Sequence, residues 1–146
     1  SVVRCDCYLL FTYVTADAGW NTGIVVANTT GDTAVFGINE APDQLGKITF
    51  YFYDASAGYV GSTTTAADIL SGKSFVDLVS NLLPSGVTSF SGYVMARAEF
   101  QFCHGFAFIA DEARLNLVVD SDVRGEVTAD LRNGRADRRQ KGHDRG

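Results

Sequence analysis

The feature that most constrains this chain is a strict two-residue alternation in residues 91–102. Val94, Ala96, Ala98, Phe100 and Phe102 fall on one side of an extended backbone. Tyr93, Met95, Arg97, Glu99 and Gln101 fall on the other. Successive strand side chains point to opposite faces, so such a segment is a strand with one buried and one wet face. Residues 47–53 repeat the pattern, with Ile48, Phe50 and Phe52 set against Lys47, Thr49, Tyr51 and Tyr53. Half-buried strands of this kind belong to antiparallel sheets that pack one face against another layer.

The remaining segments fit the same class. Residues 7–15 and 22–29 are β-branched and aromatic and predict two strands, separated by Asp17-Ala18-Gly19. The second closes at Thr30-Gly31-Asp32, and residues 33–38 suggest a short further strand. Residues 57–67, rich in small residues, predict a loop or a short edge, and 65–71 one helical turn. Residues 74–82 read as strand in preference to helix, ahead of a turn at Pro84-Ser85-Gly86. His104-Gly105 punctuates the strand of residues 91–102, and strands over 106–110 and 114–120 follow, separated by Asp111-Glu112-Ala113. Seven or eight short strands predict an all-β fold, a two-sheet antiparallel β-sandwich occupying residues 1–122. Residues 124–146 hold almost no large apolar side chain beyond Val127 and Leu131, and 123–146 are expected to be a charged, mobile tail that includes His143.

Charge is unevenly spread around the net of −5. Residues 1–123 carry five basic and thirteen acidic side chains; residues 124–146 carry seven and four. So acidic a body repels polyanions, which argues against a nucleic-acid partner. The chain has no apolar run of the ~20 residues a spanning helix needs. Ser1 leads straight into Arg4, Cys5 and Asp6 without a leader-like segment, so an exported form is expected to be a mature one.

The cysteines are Cys5, Cys7 and Cys103. One close pair without a second is not a zinc pattern. The expectation is one disulfide from Cys5 or Cys7 to Cys103, with one thiol left over.

Leu9-Leu10-Phe11, Ala18-Gly19-Trp20-Asn21-Thr22-Gly23-Ile24, Ala27-Asn28-Thr29 and the block from Gly92-Tyr93 to Asp111 resemble a family of secreted bacterial β-sandwich proteins of uncharacterised function. The resemblance covers roughly residues 5–30 and 90–119. It implies an extracellular or cell-surface β-domain and no particular activity. The family pattern carries one cysteine where this chain has Lys47-Ile48 and another where it has Ala98. The resemblance therefore implies that a bridge has been replaced by an apolar contact, with Ile48 and Ala98 (or Lys47, one residue away) close in space and facing the interior.

A catalytic set of Cys103, His104 and Asp111 can be drawn, but a hydrogen-bonded structural histidine at a strand turn and a cysteine used in a bridge explain the same residues. A non-enzymatic protein without a cofactor is expected. Acidic residues at turns read as solubilising charges that block edge pairing; if a metal binds, Asp111, Asp120 and Asp122 are its candidates. Tyr8, Tyr13, Trp20, Tyr51, Tyr53, Tyr59 and Tyr93 are aromatic platforms, and most of them suit core or inter-strand pairs. The binding candidates are Trp20, Asn21, Tyr51, Tyr53 and Tyr93. Trp20 is expected to cover the end of the sandwich, with Asn21 and Thr22 bonded to loop backbone. Asn28-Thr29-Thr30 has the form of a sequon and reads as a turn. The expected function is a structural or interaction module with a protein or glycan partner; the alternative is a small carbohydrate- or peptide-binding sandwich that uses an aromatic face.

Overall fold

A computed structural model describes residues 5–32, 34 and 42–111. These form seven strands: β1 Cys7–Ala16, β2 Trp20–Asn28, β3 Ile48–Asp54, β4 Gly58–Thr64, β5 Ser74–Leu78, β6 Phe90–Ala98 and β7 Cys103–Asp111. A single helical turn, Val79–Leu82, follows β5. All strand pairs are antiparallel, in a four-stranded sheet ordered β1-β6-β3-β4 and a three-stranded sheet ordered β5-β2-β7. This is the all-β sandwich that the alternation predicts. The expected strand at 114–120, most of that at 33–38, the boundary at residue 122 and the segment 123–146 lie outside the described residues.

The alternating residues build the core as their periodicity requires. Ile48, Phe50 and Phe52 of β3 and Phe90, Val94, Ala96 and Ala98 of β6 are buried, opposite Ile24 and Val26 of β2. Phe50 of the larger sheet meets Phe75 of the smaller at 5.5 Å between ring centroids, and Phe52 meets Phe90 edge-on at 5.2 Å. Each such ring, fully buried, contributes on the order of 1.5–3 kcal/mol.

The chain passes from the larger sheet to the smaller at the β1–β2 corner. Asp17 and Trp20 exchange backbone hydrogen bonds around Ala18 (φ 52°) and Gly19 (φ 83°). Two central residues at positive φ are the signature of a type I′ hairpin turn, which glycine adopts freely and alanine does not. Beyond the turn the two strands part into different sheets. The Thr22 hydroxyl fills the gap, donating to the Thr15 carbonyl at 2.7 Å and accepting from the Thr15 N–H at 2.9 Å.

Cys7 and Cys103 form the disulfide, which joins the edge strands β1 and β7 of the two sheets; Cys5 is the free, exposed thiol. Two residues beyond Cys103, β7 runs close to its neighbours. A Cβ on Gly105 would lie 2.7 Å from the Val25 carbonyl oxygen and 2.9 Å from a Leu9 methyl. Gly105 is thus a close-approach residue inside β7, and the expected break at His104-Gly105 is not there. The chain bends instead at residues 99–101, between two strands that belong to different sheets. The bend resets the alternation: Phe100 is buried, while Phe102, expected on the apolar side, is 46% exposed.

Three shorter segments also differ from expectation in detail. Residues 57–67 supply the edge strand β4, the second of the two readings. Residues 65–71 form no helical turn; Ile69 instead makes an isolated bridge to Gly46. Residues 74–82 divide into β5 and the helical turn because Val79 and Leu82, three apart, both reach the core. Ile48 and Ala98 are direct register partners in β3 and β6, and both are buried.

Candidate functional site

The outer face of the four-stranded sheet is built from residues that alternate with the core. Register places them in three rows. The first holds Tyr8, Arg97, Thr49 and Thr64; the second Leu10, Met95, Tyr51 and Ser62. The third holds Tyr93, Tyr53 and Tyr59. Two bulges complete the third row. In β1, Thr12 and Tyr13 together stand opposite Tyr93 between the pairs Phe11–Val94 and Val14–Gly92. In β4, Val60 is the extra residue, which puts Tyr59 opposite Tyr53.

All six tyrosines of the chain therefore belong to this face or to its bulge. Tyr8 is 64% exposed, Leu10 56% and Tyr59 54%. The Tyr53 and Tyr93 rings stack at 4.7 Å with 7° between their planes, and Tyr59 tilts against Tyr53 at 5.2 Å. Within this sheet phenylalanines Phe11, Phe50, Phe52 and Phe90 face inward and tyrosines outward, because the phenol hydroxyl keeps one end of the ring in water. Four strands by three rows cover roughly 400 Å², the size of the largest exposed patch on an ordinary monomer, which is often a functional one.

Charge is confined to the ends of the face. At the first row the Arg97 Nε donates to Asp6 Oδ2 at 2.7 Å. The hydrogen bond to Asp6, and then one to Tyr51, raises the guanidinium pKa further above its ordinary range. At the other end Asp54 closes β3. Its carboxylate accepts from the Ser56 N–H, the Ser56 hydroxyl and the Ala57 N–H, which holds its pKa below the ordinary 3.8. Asp17, at the β1–β2 corner, lies at this same end, since Ala16 pairs with Phe90 and Asp54 with Gly92 on β6.

Of the binding candidates, Tyr51, Tyr53 and Tyr93 are brought together here, and Trp20 and Asn21 are not. Both lie on β2 of the other sheet. Trp20 is 54% exposed and so does not cover the sandwich end. Asn21 is 1% exposed and is consumed by structure: its Oδ1 accepts from the N–H groups of Thr22 and Ser80, and its Nδ2 donates to the Ser80 hydroxyl. Leu10, Met95 and Arg97 belong to the face without having been singled out as binding residues. The signal for Met95 and Arg97 was their shared parity with Tyr93; Leu10 is placed only by pairing with Met95.

Other candidates resolve differently. Cys103 is buried in the disulfide, while its neighbour His104 is exposed at the second position of β7, so the pair is neither an assembled nucleophile and base nor a turn histidine. Asp111 ends β7 opposite Trp20; Asp120 and Asp122 lie outside the described residues. Among the described residues no group of three or more His, Cys, Asp or Glu is placed to hold a metal ion. The Asn28 side chain is buried, donating to the carbonyls of Gln44 and Ile69 and accepting from Thr30, as a structural bridge across loops. A polar cleft of about 580 Å³ beside it is lined by Thr30, Asp32, Asp43, Ser71 and Lys73 and contains none of the predicted residues. No helix among the described residues is long and apolar enough to cross a membrane.

No family model, curated protein or solved structure matches the chain.

Proposed function

We propose that this domain is a non-enzymatic extracellular or cell-surface interaction module, and that the outer face of its four-stranded sheet is the docking surface. The observation that carries the reading is the gathering of all six tyrosines, with Leu10 and Met95, on one surface whose charges stand at its ends, in a chain with net charge −5. Tyrosine, methionine and arginine are the residues that protein interfaces concentrate, and charged side chains are depleted from their centres. A disulfide linking residues 96 apart supports an oxidising compartment.

The same face supports the second reading, a glycan platform, through its exposed Tyr8 and Tyr59 rings. A protein partner is favoured because Tyr53 and Tyr93 cover one another at 4.7 Å. Rings stacked in this way present edges, whereas a sugar needs an open ring face.

The test is binding of the intact chain to a glycan array and to a panel of extracellular proteins, repeated with Tyr93→Ser/Met95→Lys and with Phe106→Ser on the other sheet. Loss of binding in the first variant alone supports the reading. Binding that survives the first variant and is lost in the second would move the docking surface to the other sheet and overturn it.

A further inference from the structure

Among the described residues the two sheets end on four edge strands, β1, β4, β5 and β7. An open edge invites pairing with another strand, and proteins blunt it with bulges, short strands, prolines or charges. Three of the four are blunted here: β1 and β4 carry bulges, and β5 has five residues. β7 has nine, in unbroken register with β2 from Cys103 to Asp111. It holds no Lys, Arg, Glu or Pro, and its one carboxylate, Asp111, stands at its end. Phe106 and Ile109, on opposite faces of this strand, are 58% and 42% exposed. The Thr29 N–H donates to the Phe102 carbonyl at 3.1 Å. The alternation of an antiparallel ladder then gives the backbone groups of His104, Phe106, Phe108 and Ala110 to β2, and turns those of Gly105, Ala107 and Ile109 toward the other edge. Among the described residues no strand bonds to that edge; β1 meets β7 from the other sheet through the Cys7 sulfur and the Leu9 side chain.

We propose that residues 114–120 of this same chain occupy the open edge of β7, running antiparallel to it and extending the three-stranded sheet to four strands. β7 ends at Asp111, and a connection of roughly two to four residues around Glu112 and Ala113 is an ordinary hairpin length. Seven extended residues span roughly 23 Å, the length of β7 from Gly105 to Asp111. Leu115, Leu117 and Val119 fall on one side of the segment and Asn116 and Val118 on the other. An added strand therefore sets apolar side chains beside Phe106 on one face and Ile109 on the other, whichever of the two parities it takes. So short a connection costs little loop-closure entropy. A strand from a second copy or from another protein would lose translational and rotational freedom as well, so the chain's own segment wins the edge. The inference stands whether or not the tyrosine face is the docking surface.

The test is amide hydrogen exchange by NMR on the isotope-labelled full chain, with sedimentation reporting its oligomeric state. In the monomer the Gly105, Ala107 and Ile109 amides are expected to exchange at least about tenfold more slowly than in an unstructured peptide, and cross-strand nuclear Overhauser contacts should join β7 to residues 114–120. The variant Leu117→Pro/Val118→Pro removes a ladder donor in either parity. It should free those three amides while His104, Phe106 and Phe108, bonded to β2, stay protected. Fast exchange at Gly105, Ala107 and Ile109 in the unmodified monomer overturns the proposal. Protection that persists in the proline variant overturns it too, as does protection that appears only when a dimer forms, which would give the edge to a second copy. Should the proline variant unfold, the exchange rates and contacts of the unmodified chain decide alone.

Discussion

Reduction of the Cys7–Cys103 disulfide should cost this domain a large fraction of its stability. The bridge closes a loop across 96 residues and joins edge strands of two different sheets. In the chain-entropy account, a closure of about this length removes roughly 4.7 kcal/mol of conformational freedom from the unfolded chain at 25 °C. Removal of a native disulfide typically costs about 2–5 kcal/mol, so a loss of about 3–4 kcal/mol is expected. The clean comparison is Cys5→Ser protein, oxidised against reduced, because it removes the spare thiol and leaves every core atom in place. Urea denaturation should show the midpoint falling and the slope m rising, since the unfolded reduced chain exposes more surface. The melting temperature should fall by on the order of 10 °C. A change below about 1 kcal/mol would refute the reasoning, because it would mean that the two sheet edges stay together in the unfolded ensemble without the bridge.

Thr22→Val keeps the shape of the side chain but leaves the buried Thr15 N–H and carbonyl without a partner; thermal or urea unfolding should show a loss of about 2–4 kcal/mol, and a loss under about 0.5 kcal/mol would show that water or a shifted backbone replaces the hydroxyl. Ala18→Asn, at φ 52° in the β1–β2 turn, should raise stability by about 0.5–1 kcal/mol in the same assay, because asparagine tolerates the left-handed region better than alanine. In the double variant Ile48→Cys/Ala98→Cys the two introduced cysteines should bond to each other and leave Cys7–Cys103 intact under mass mapping. Ile48 directs its N–H and carbonyl to Thr65, so it faces Ala98 as a non-hydrogen-bonded pair at about 4.5 Å. Cys7 is the register partner of Ala98 on the other side, and a product in which Cys7 is bridged to the cysteine introduced at position 98 would be the refuting result. Asp54, whose folded pKa lies below the ordinary 3.8, should contribute stability that is fully present above that value and lost as pH falls through the folded one; an NMR titration with its midpoint at or above 3.8 would refute the hydrogen-bonded turn.

Local pattern and tertiary arrangement divided the determination of this protein between them. Alternation over 47–53 and 91–102 determined by itself that β3 and β6 bury one face and wet the other, because strand side chains follow a period of two whatever lies beyond them. The turn at Asp17-Ala18-Gly19 and the use of Cys103 in a bridge were equally legible, since both follow from local chemistry. Parity also placed Tyr51, Tyr53 and Tyr93 on one wet side of their own strands. It could not join them to Tyr8, Tyr13 and Tyr59, because register between distant strands is fixed by packing and by bulges, and the extra residue Val60 is what turns Tyr59 toward Tyr53. The choice of Cys7 over Cys5 was decided in the same way, by which residue reaches the edge of β7 once two sheets are stacked. Where the sequence misled, at His104-Gly105, the glycine answers a neighbour rather than a turn: Val25 and Leu9 come too close for a side chain, and nothing within the segment itself records that approach.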